Sequence, residues 1–192
     1  MPRAGLSTVG VVAAGAAMAD EVGIGAVSLS ALANRLGVRP PALYKHVDNL
    51  ADLQHRIAAL AMTEFGDALR EALQGRSGVD ALTAMFTALR TYIAAHPGRY
   101  VATVGAEFRG EDDPLLVAGV RVINSVRAVL SGYGIKADDL DHAIRTLRCT
   151  IHGFAVLQAA NGFQWNNDAD ESFAWMVSFV DAGLRAVGGQ QP

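Results

Sequence analysis

The stretch from Val27 to Leu53, V-S-L-S-A-L-A-N-R-L-G-V-R-P-P-A-L-Y-K-H-V-D-N-L-A-D-L, constrains this chain more than any other. Leu29, Leu32, Ala33 and Leu36 recur at the i, i+3, i+4, i+7 spacing of a short helix with one buried face. Ser28 stands where an N-cap belongs, since its hydroxyl can accept a bond from a first-turn N–H. Gly37 ends that helix, because a residue without a Cβ reaches the left-handed conformation at little cost. Pro40 and Pro41 open a second helix, at positions whose N–H groups would have no intrahelical partner anyway. Leu43 and Val47 mark its inward side and leave Arg39, Ala42, Tyr44, Lys45 and His46 facing out. Two short helices about a tight glycine turn make a helix-turn-helix unit, whose second helix can enter a DNA major groove.

Around this unit the chain reads as helix throughout, with no strand-like alternation and no internal repeat. Leu6, Val9, Ala13, Ala16 and Ala17 trace one face of a first helix ending near Val22, with Ser7 at its start as a cap or a phosphate contact. Gly23-Ile24-Gly25 forms a loop. Asn49 caps a long helix that turns Leu53, Ile57, Leu60 and Ala61 inward and runs to about Leu73. Gln74-Gly75-Arg76-Ser77-Gly78 is the clearest break. Asp80 caps the next helix, with Leu82, Met85, Phe86, Leu89, Tyr92, Ile93 and His96 on one side, stopped by Pro97-Gly98. A short helix around Tyr100 to Phe108 comes next, then the polar loop Gly110-Glu111-Asp112-Asp113. Leu115 to Leu130 is apolar nearly all round, as in a buried central helix. Gly132-Tyr133-Gly134 turns the chain, and Asp138 caps a helix burying Leu140, Ile144, Leu147, Ile151 and Phe154. The last helix begins near Asp168, with Asp170 and Glu171 at its positive end, and buries Phe173, Met176, Val177, Val180 and Leu184. Gly188-Gly189-Gln190-Gln191-Pro192 should fray.

Composition narrows the class. With 192 residues, 51% of them hydrophobic and 18% charged, the chain can hold one compact helical unit or a small head on a larger body. The net charge of −3 conceals an asymmetry. Residues 1–50 hold Arg3, Arg35, Arg39 and Lys45 against Asp20, Glu21 and Asp48, so the candidate head is the less acidic part, and phosphates need only a few well-placed cations. Cys149 is the single cysteine, which forbids an intrachain disulfide and reads as a small buried apolar residue. The Ala- and Gly-rich N-terminus imitates a signal peptide, but Asp20 and Glu21 follow at once. No run of about 18 strongly apolar residues stands out, so no membrane span is expected and a cytoplasmic location is the default. No nucleophile elbow, phosphate loop, dinucleotide fingerprint or His/Cys metal spacing is present, so no catalytic residue, metal or cofactor is expected.

The fuller string L-A-x-x-L-G-V-x-x-x-A-L-Y-x-H-V-x-N, with Leu53 following, resembles the N-terminal domain of the TetR family of bacterial transcriptional regulators, from about Leu6 to Leu60. The resemblance implies an all-α fold of about nine helices. Residues 1–49 would form a three-helix DNA-binding head, and residues 50–192 a helical ligand-binding and dimerisation body. It implies a repressor that binds a palindromic operator on double-stranded DNA as a homodimer and is released by a small apolar effector. By that resemblance Tyr44 and His46 contact phosphates and Lys45 adds charge. Arg39, Pro40, Pro41 and Ala42 occupy base-reading positions, and Ser28 and Ser30 suit further backbone contacts. Two departures stand out: Arg39 replaces the usual capping Ser or Thr, and Leu50 replaces a basic residue after Asn49.

In the body, Arg148, His152, Gly153 and Phe154 with Asn161, Gly162 and Phe163 resemble a C-terminal variety of this family that carries a His-Gly pair in its penultimate helix. The family packs its last two long helices against a partner's to form the dimer seam. Phe86, Tyr92, Tyr100, Phe108, His152 and Trp175 are the candidates for an apolar effector pocket. The competing expectation is a helical, dimeric small-molecule-binding protein that keeps this fold without specific DNA binding.

Overall fold

A computed structural model describes residues 6–164 and 168–189. Arg3 of the head's charge count and the tail Gln190-Gln191-Pro192, expected to fray, lie outside the described residues. Among the described residues the chain is all-α. It holds eight α-helices: α1 (Thr8–Val22), α2 (Leu29–Leu36), α3 (Leu50–Leu73), α4 (Gly78–Ala95), α5 (Pro97–Thr103), α6 (Pro114–Ser131), α7 (Leu140–Ala159) and α8 (Ala169–Gly188). Short 3-10 segments stand at Ile24–Ala26, Pro40–Lys45 and Ala137–Asp139. The helices fall into two compact units. One comprises residues 1–64 and 96–118, the other residues 65–95 and 119–192.

The first unit is built on α1. Ser7 caps it by accepting from Gly10 N at 3.1 Å, so the cap role of Ser7 is the one that holds within the chain. Its buried face is Val11, Val12, Gly15, Ala16, Met18 and Ala19, whereas Val9 is 80% exposed. Periodicity rotates this face away from its true position, because a helix of Ala, Gly and Val carries too little contrast to set its phase. Val11, Val12 and Ala16 pack with Leu32, Ala33, Leu43, Val47, Leu53 and Ile57 in one core. Asn49 caps α3 as expected, its Oδ1 accepting from Asp52 N at 2.9 Å.

Also in this unit, α5 packs across the end of α1. Pro97-Gly98 does not merely stop α4 but opens α5, with His96 at its N-cap. Gly98 touches backbone: a Cβ there would lie 1.7 Å from Ala19 O and 2.1 Å from Ala19 C. Arg99 locks the contact, donating from N and Nε to Asp20 at 2.9 and 2.8 Å and from Nη1 to Glu64 Oε2 at 2.9 Å. Asp113, nearly sealed from solvent, caps α6 through Leu115 N at 2.9 Å. It also accepts from Arg109 N at 2.7 Å and lies 2.9 Å from His55 Nε2.

In the second unit α4 buries Leu82, Met85, Phe86, Leu89, Tyr92 and Ile93 against α7 and α8. Its helix starts at Gly78, so Asp80 sits in the first turn rather than at the cap. Arg90 lies 4.6 Å over the Phe173 ring and donates to Gln158 Oε1 at 2.7 Å and Asp170 Oδ1 at 2.5 Å. Phe154 packs on Phe163 and Phe173 with centroids 4.9 and 5.5 Å apart. Asp138 falls within a 3-10 turn and Asp139 takes the N-cap of α7 without a side-chain bond, correcting the expected cap. Asp168 caps α8, accepting from Asp170 N at 2.8 Å.

Two expectations from composition fail. Cys149 is exposed, not buried, because it falls on the solvent side of α7. Only 22% of α6 is buried, and Val117 and Val120 are 42% and 49% exposed. A helix buries only the arcs that other elements cover, whatever its composition. By length and composition alone α6, of 18 residues and mean hydropathy 1.4, is apolar enough to cross a membrane. Arg121 and Arg127 are what hide that run in the sequence.

Candidate nucleic-acid interface

The helix-turn-helix unit is built by three local choices. Ser28 caps α2, accepting from Ala31 N at 3.2 Å. Gly37 takes the left-handed conformation with φ +66 that ends it, a cheap conformation only without a Cβ. Arg39 is then held extended at φ −82, ψ 145, as a residue before proline must be.

The chain then forms not an α-helix but a six-residue 3-10 segment, Pro40–Lys45. The two prolines contribute no N–H, and the segment is closed by Ala42 N to Arg39 O at 2.9 Å and His46 N to Leu43 O at 2.8 Å. Arg39 makes no capping bond, so the cap missing from the sequence is missing in the fold. Leu43 and Val47 are buried and fix the segment to the core.

The other side is open. Arg39, Pro40, Pro41, Tyr44 and Lys45 are exposed, and Ala42 and His46 are half-buried. Tyr44, at 56% exposure, does not pack into the unit. His46 Nδ1 lies 3.2 Å from Thr8 Oγ1 at the start of α1, a contact that local sequence gives no sign of, because 38 residues separate the two. Ser28 Oγ and Ser30 Oγ stand 3.4 Å apart at the start of α2. The nine candidate residues therefore lie on α2, its cap and the segment joined to it by one tight turn.

Charge on this unit is partitioned. Arg35 donates to both oxygens of Glu21 at 2.5 and 2.6 Å. That bidentate bond raises the guanidinium pKa and lowers that of the carboxyl, and both groups are occupied with each other. Arg39 and Lys45 carry the exposed positive charge of the segment. Behind them Asp52 accepts from Arg56 Nε at 2.8 Å, Asp48 N at 3.1 Å and Arg109 Nη1 at 3.2 Å. Burial alone would raise its pKa, but these donors outweigh burial and hold it below the ordinary value.

The six effector candidates divide between the two units. Tyr100 and Phe108 belong to the first unit, and Phe86, Tyr92, His152 and Trp175 to the second. Phe86 is fully buried core, and Tyr92 and Tyr100 are nearly so. Phe108, 58% exposed, lines a cleft of about 510 Å³ with Ile24, Gln54, His55 and Val101. Trp175 is 69% exposed. Sequence reasoning also missed the clamp of Gly98 and Arg99 on Asp20 and Glu64. Its only signal was an acidic pair at the end of α1 and a Gly-Arg step after Pro97.

Comparison with known proteins agrees with this fold. Residues 82–180 match the family model described as tetracyclin repressor-like, C-terminal domain. The chain is 30% identical to the uncharacterized HTH-type transcriptional regulator YobS of Bacillus subtilis over 185 residues, 95% of each chain. It is 33% identical to the uncharacterized HTH-type transcriptional regulator Rv0681 of Mycobacterium tuberculosis over 165 residues, covering 86% of this chain and 75% of that one. Among solved structures it is similar to the TetR family protein ActR of Streptomyces coelicolor in complex with actinorhodin. The TM-score is 0.71 and the identity 19%, over 97% of this chain and 100% of that one.

Proposed function

This chain belongs to the TetR family and is a transcriptional regulator, not an enzyme, and on that premise we propose how it works. Residues 1–49 form the DNA-binding head and residues 50–192 the ligand-binding and dimerisation body. A homodimer, joined through α7 and α8, sets two copies of the Pro40–Lys45 segment into successive major grooves of a palindromic operator about one helical turn apart. Arg39 pairs with a base edge, Pro40, Pro41 and Ala42 permit close approach, and Tyr44, Lys45 and His46 contact phosphates together with Ser28 and Ser30. A small apolar effector in the body favours a different separation of the heads and releases the repressor. The affinity difference of that effector between the two states limits the switching it can drive. The protein acts in the cytoplasm.

The observation that carries this reading is the exposed side of the 40–45 segment, held to the core by Leu43 and Val47 while Tyr44 and Lys45 stand in solvent. The test is a gel shift of the purified protein on DNA from its own upstream region. The wild type should retard that DNA at low salt, and a Tyr44→Ala/Lys45→Ala variant should bind at least about tenfold more weakly. Equal affinity of the two proteins would favour a family fold that no longer binds DNA through this segment.

A further inference from the structure

On α8, Trp175, Phe179 and Gly183 are spaced by four, so they lie one above another on a single ridge. Trp175 and Phe179 are 69% and 66% exposed, and their rings stack on each other at 5.4 Å and 12°. Large stacked aromatics in open water are a hydrophobic surface without a partner. One turn further on, Gly183 opens a groove between α7 and α8 of about 410 Å³, lined by Ala143, Thr146, Leu147, Phe179, Leu184 and Val187. Glycine is a poor helix former, yet a Cβ at Gly183 would meet nothing within 4 Å. The same is true of Gly153 on α7. Among the described residues no close approach inside the chain accounts for either glycine.

Resting on the dimer reading above, we propose that the indole of Trp175 from a second copy of this chain fills the groove at Gly183. In a two-fold dimer the same patch faces itself. An axis passing beside Phe179 reverses the ridge, so Trp175 of each copy falls opposite Gly183 of the other, and the two Phe179 rings meet near the axis. Charge favours this antiparallel order. The start of α8 carries Asp168, Asp170 and Glu171, while Arg185 in its last turn is paired with Asp181 at 2.8 Å, so this order keeps the acidic starts of the two copies apart. Trp175, Phe179, Val187 and Leu157, all about half exposed or more, supply several hundred Å² per copy at about 150–250 Å² for each aromatic. Together with the groove walls they approach the roughly 800 Å² per partner of a stable interface.

The test uses the full chain with Cys149→Ser as background. Under mild oxidation Trp175→Cys/Gly183→Cys should give a covalent dimer, as should Phe179→Cys alone, while Trp175→Cys and Gly183→Cys as single variants should not. Residues 175 and 183 of one helix are about 12 Å apart, too far to bridge within a chain. In sedimentation, Gly183→Phe should weaken dimerisation at least about tenfold by filling the groove, with helix content unchanged by circular dichroism. A wild-type dimer whose double variant fails to cross-link, or whose Trp175→Cys variant links to itself, overturns the groove assignment alone. A wild type that stays monomeric at tens of micromolar overturns it together with the dimer reading.

Discussion

Gly98→Ala is the sharpest test of how the first unit is held. A Cβ at this position would lie 1.7 Å from Ala19 O, 2.1 Å from Ala19 C and 2.7 Å from Asp20 N. All three are backbone atoms, so no side chain can swing aside, and α5 must lift from α1 by roughly 1.5 Å to restore van der Waals distance. That lift breaks the two bonds from Arg99 to Asp20, now 2.9 and 2.8 Å. Hydrogen bonds to charged groups contribute about 1.5–3 kcal/mol each, reduced here because Asp20 and Arg99 keep partial access to water. Overpacking adds about 1–3 kcal/mol, and better helix propensity recovers about 1 kcal/mol. The net loss is about 3 kcal/mol, or roughly 6–12 °C in melting temperature for a chain of this size. Thermal unfolding followed by circular dichroism measures it. Gly119→Ala is the control, since a Cβ there meets nothing within 4 Å and the melt should hold or rise slightly. A Gly98→Ala melt within about 2 °C of wild type would refute the clamp.

Other side chains lend themselves to the same treatment. Asp113 is held below its ordinary pKa of 3.8: burial pushes it up, but Arg109 N, Leu115 N and His55 outweigh burial. A carboxylate depressed in this way stabilises the fold fully above its unfolded pKa, and that stability is lost as pH falls through the folded value. Asp113→Asn should therefore cost about 1–3 kcal/mol at pH 7 and flatten the loss of stability below about pH 4, read by urea titration at a series of pH values. Arg90→Ala removes the donor to Gln158 and Asp170 and the cation over Phe173, and should lower stability by about 2 kcal/mol, measured by urea unfolding. Replacing Lys45 by Ala should weaken DNA binding alike on all sequences and reduce the salt slope by about one for the phosphate it no longer neutralises. Arg39→Ala should instead relax preference at one base pair, seen by competition between operator variants.

How much was legible in the sequence depended on contrast. Ser28, Gly37 and Asn49 announce their structural roles because a hydroxyl, a missing Cβ and an amide each do one local thing. The inward faces of α3, α4, α7 and α8 were readable because Leu, Ile and Phe stand out from charged neighbours. In α1, where Ala and Gly dominate, the same method chose Val9 and Ala13, which are exposed. The 3-10 form of Pro40–Lys45 escaped because two prolines fit the first turn of either helix type. Long-range polar contacts were invisible. Arg99 to Asp20 spans 79 residues and His55 to Asp113 spans 58, and nothing local distinguishes these carboxylates from solvated ones. Cys149 was misread for a related reason: apolar character does not say which arc of a helix other elements cover.

The central claim is that the 40–45 segment reads DNA in a two-fold arrangement. In vitro selection from random duplexes by the purified wild-type protein addresses it most directly. The expected product is an enriched inverted repeat whose half-site centres lie about 10 base pairs, or a small multiple, apart, with no such enrichment by the Tyr44→Ala/Lys45→Ala variant. Recovery of the same inverted repeat by both proteins, or of no shared sequence by the wild type, would contradict it.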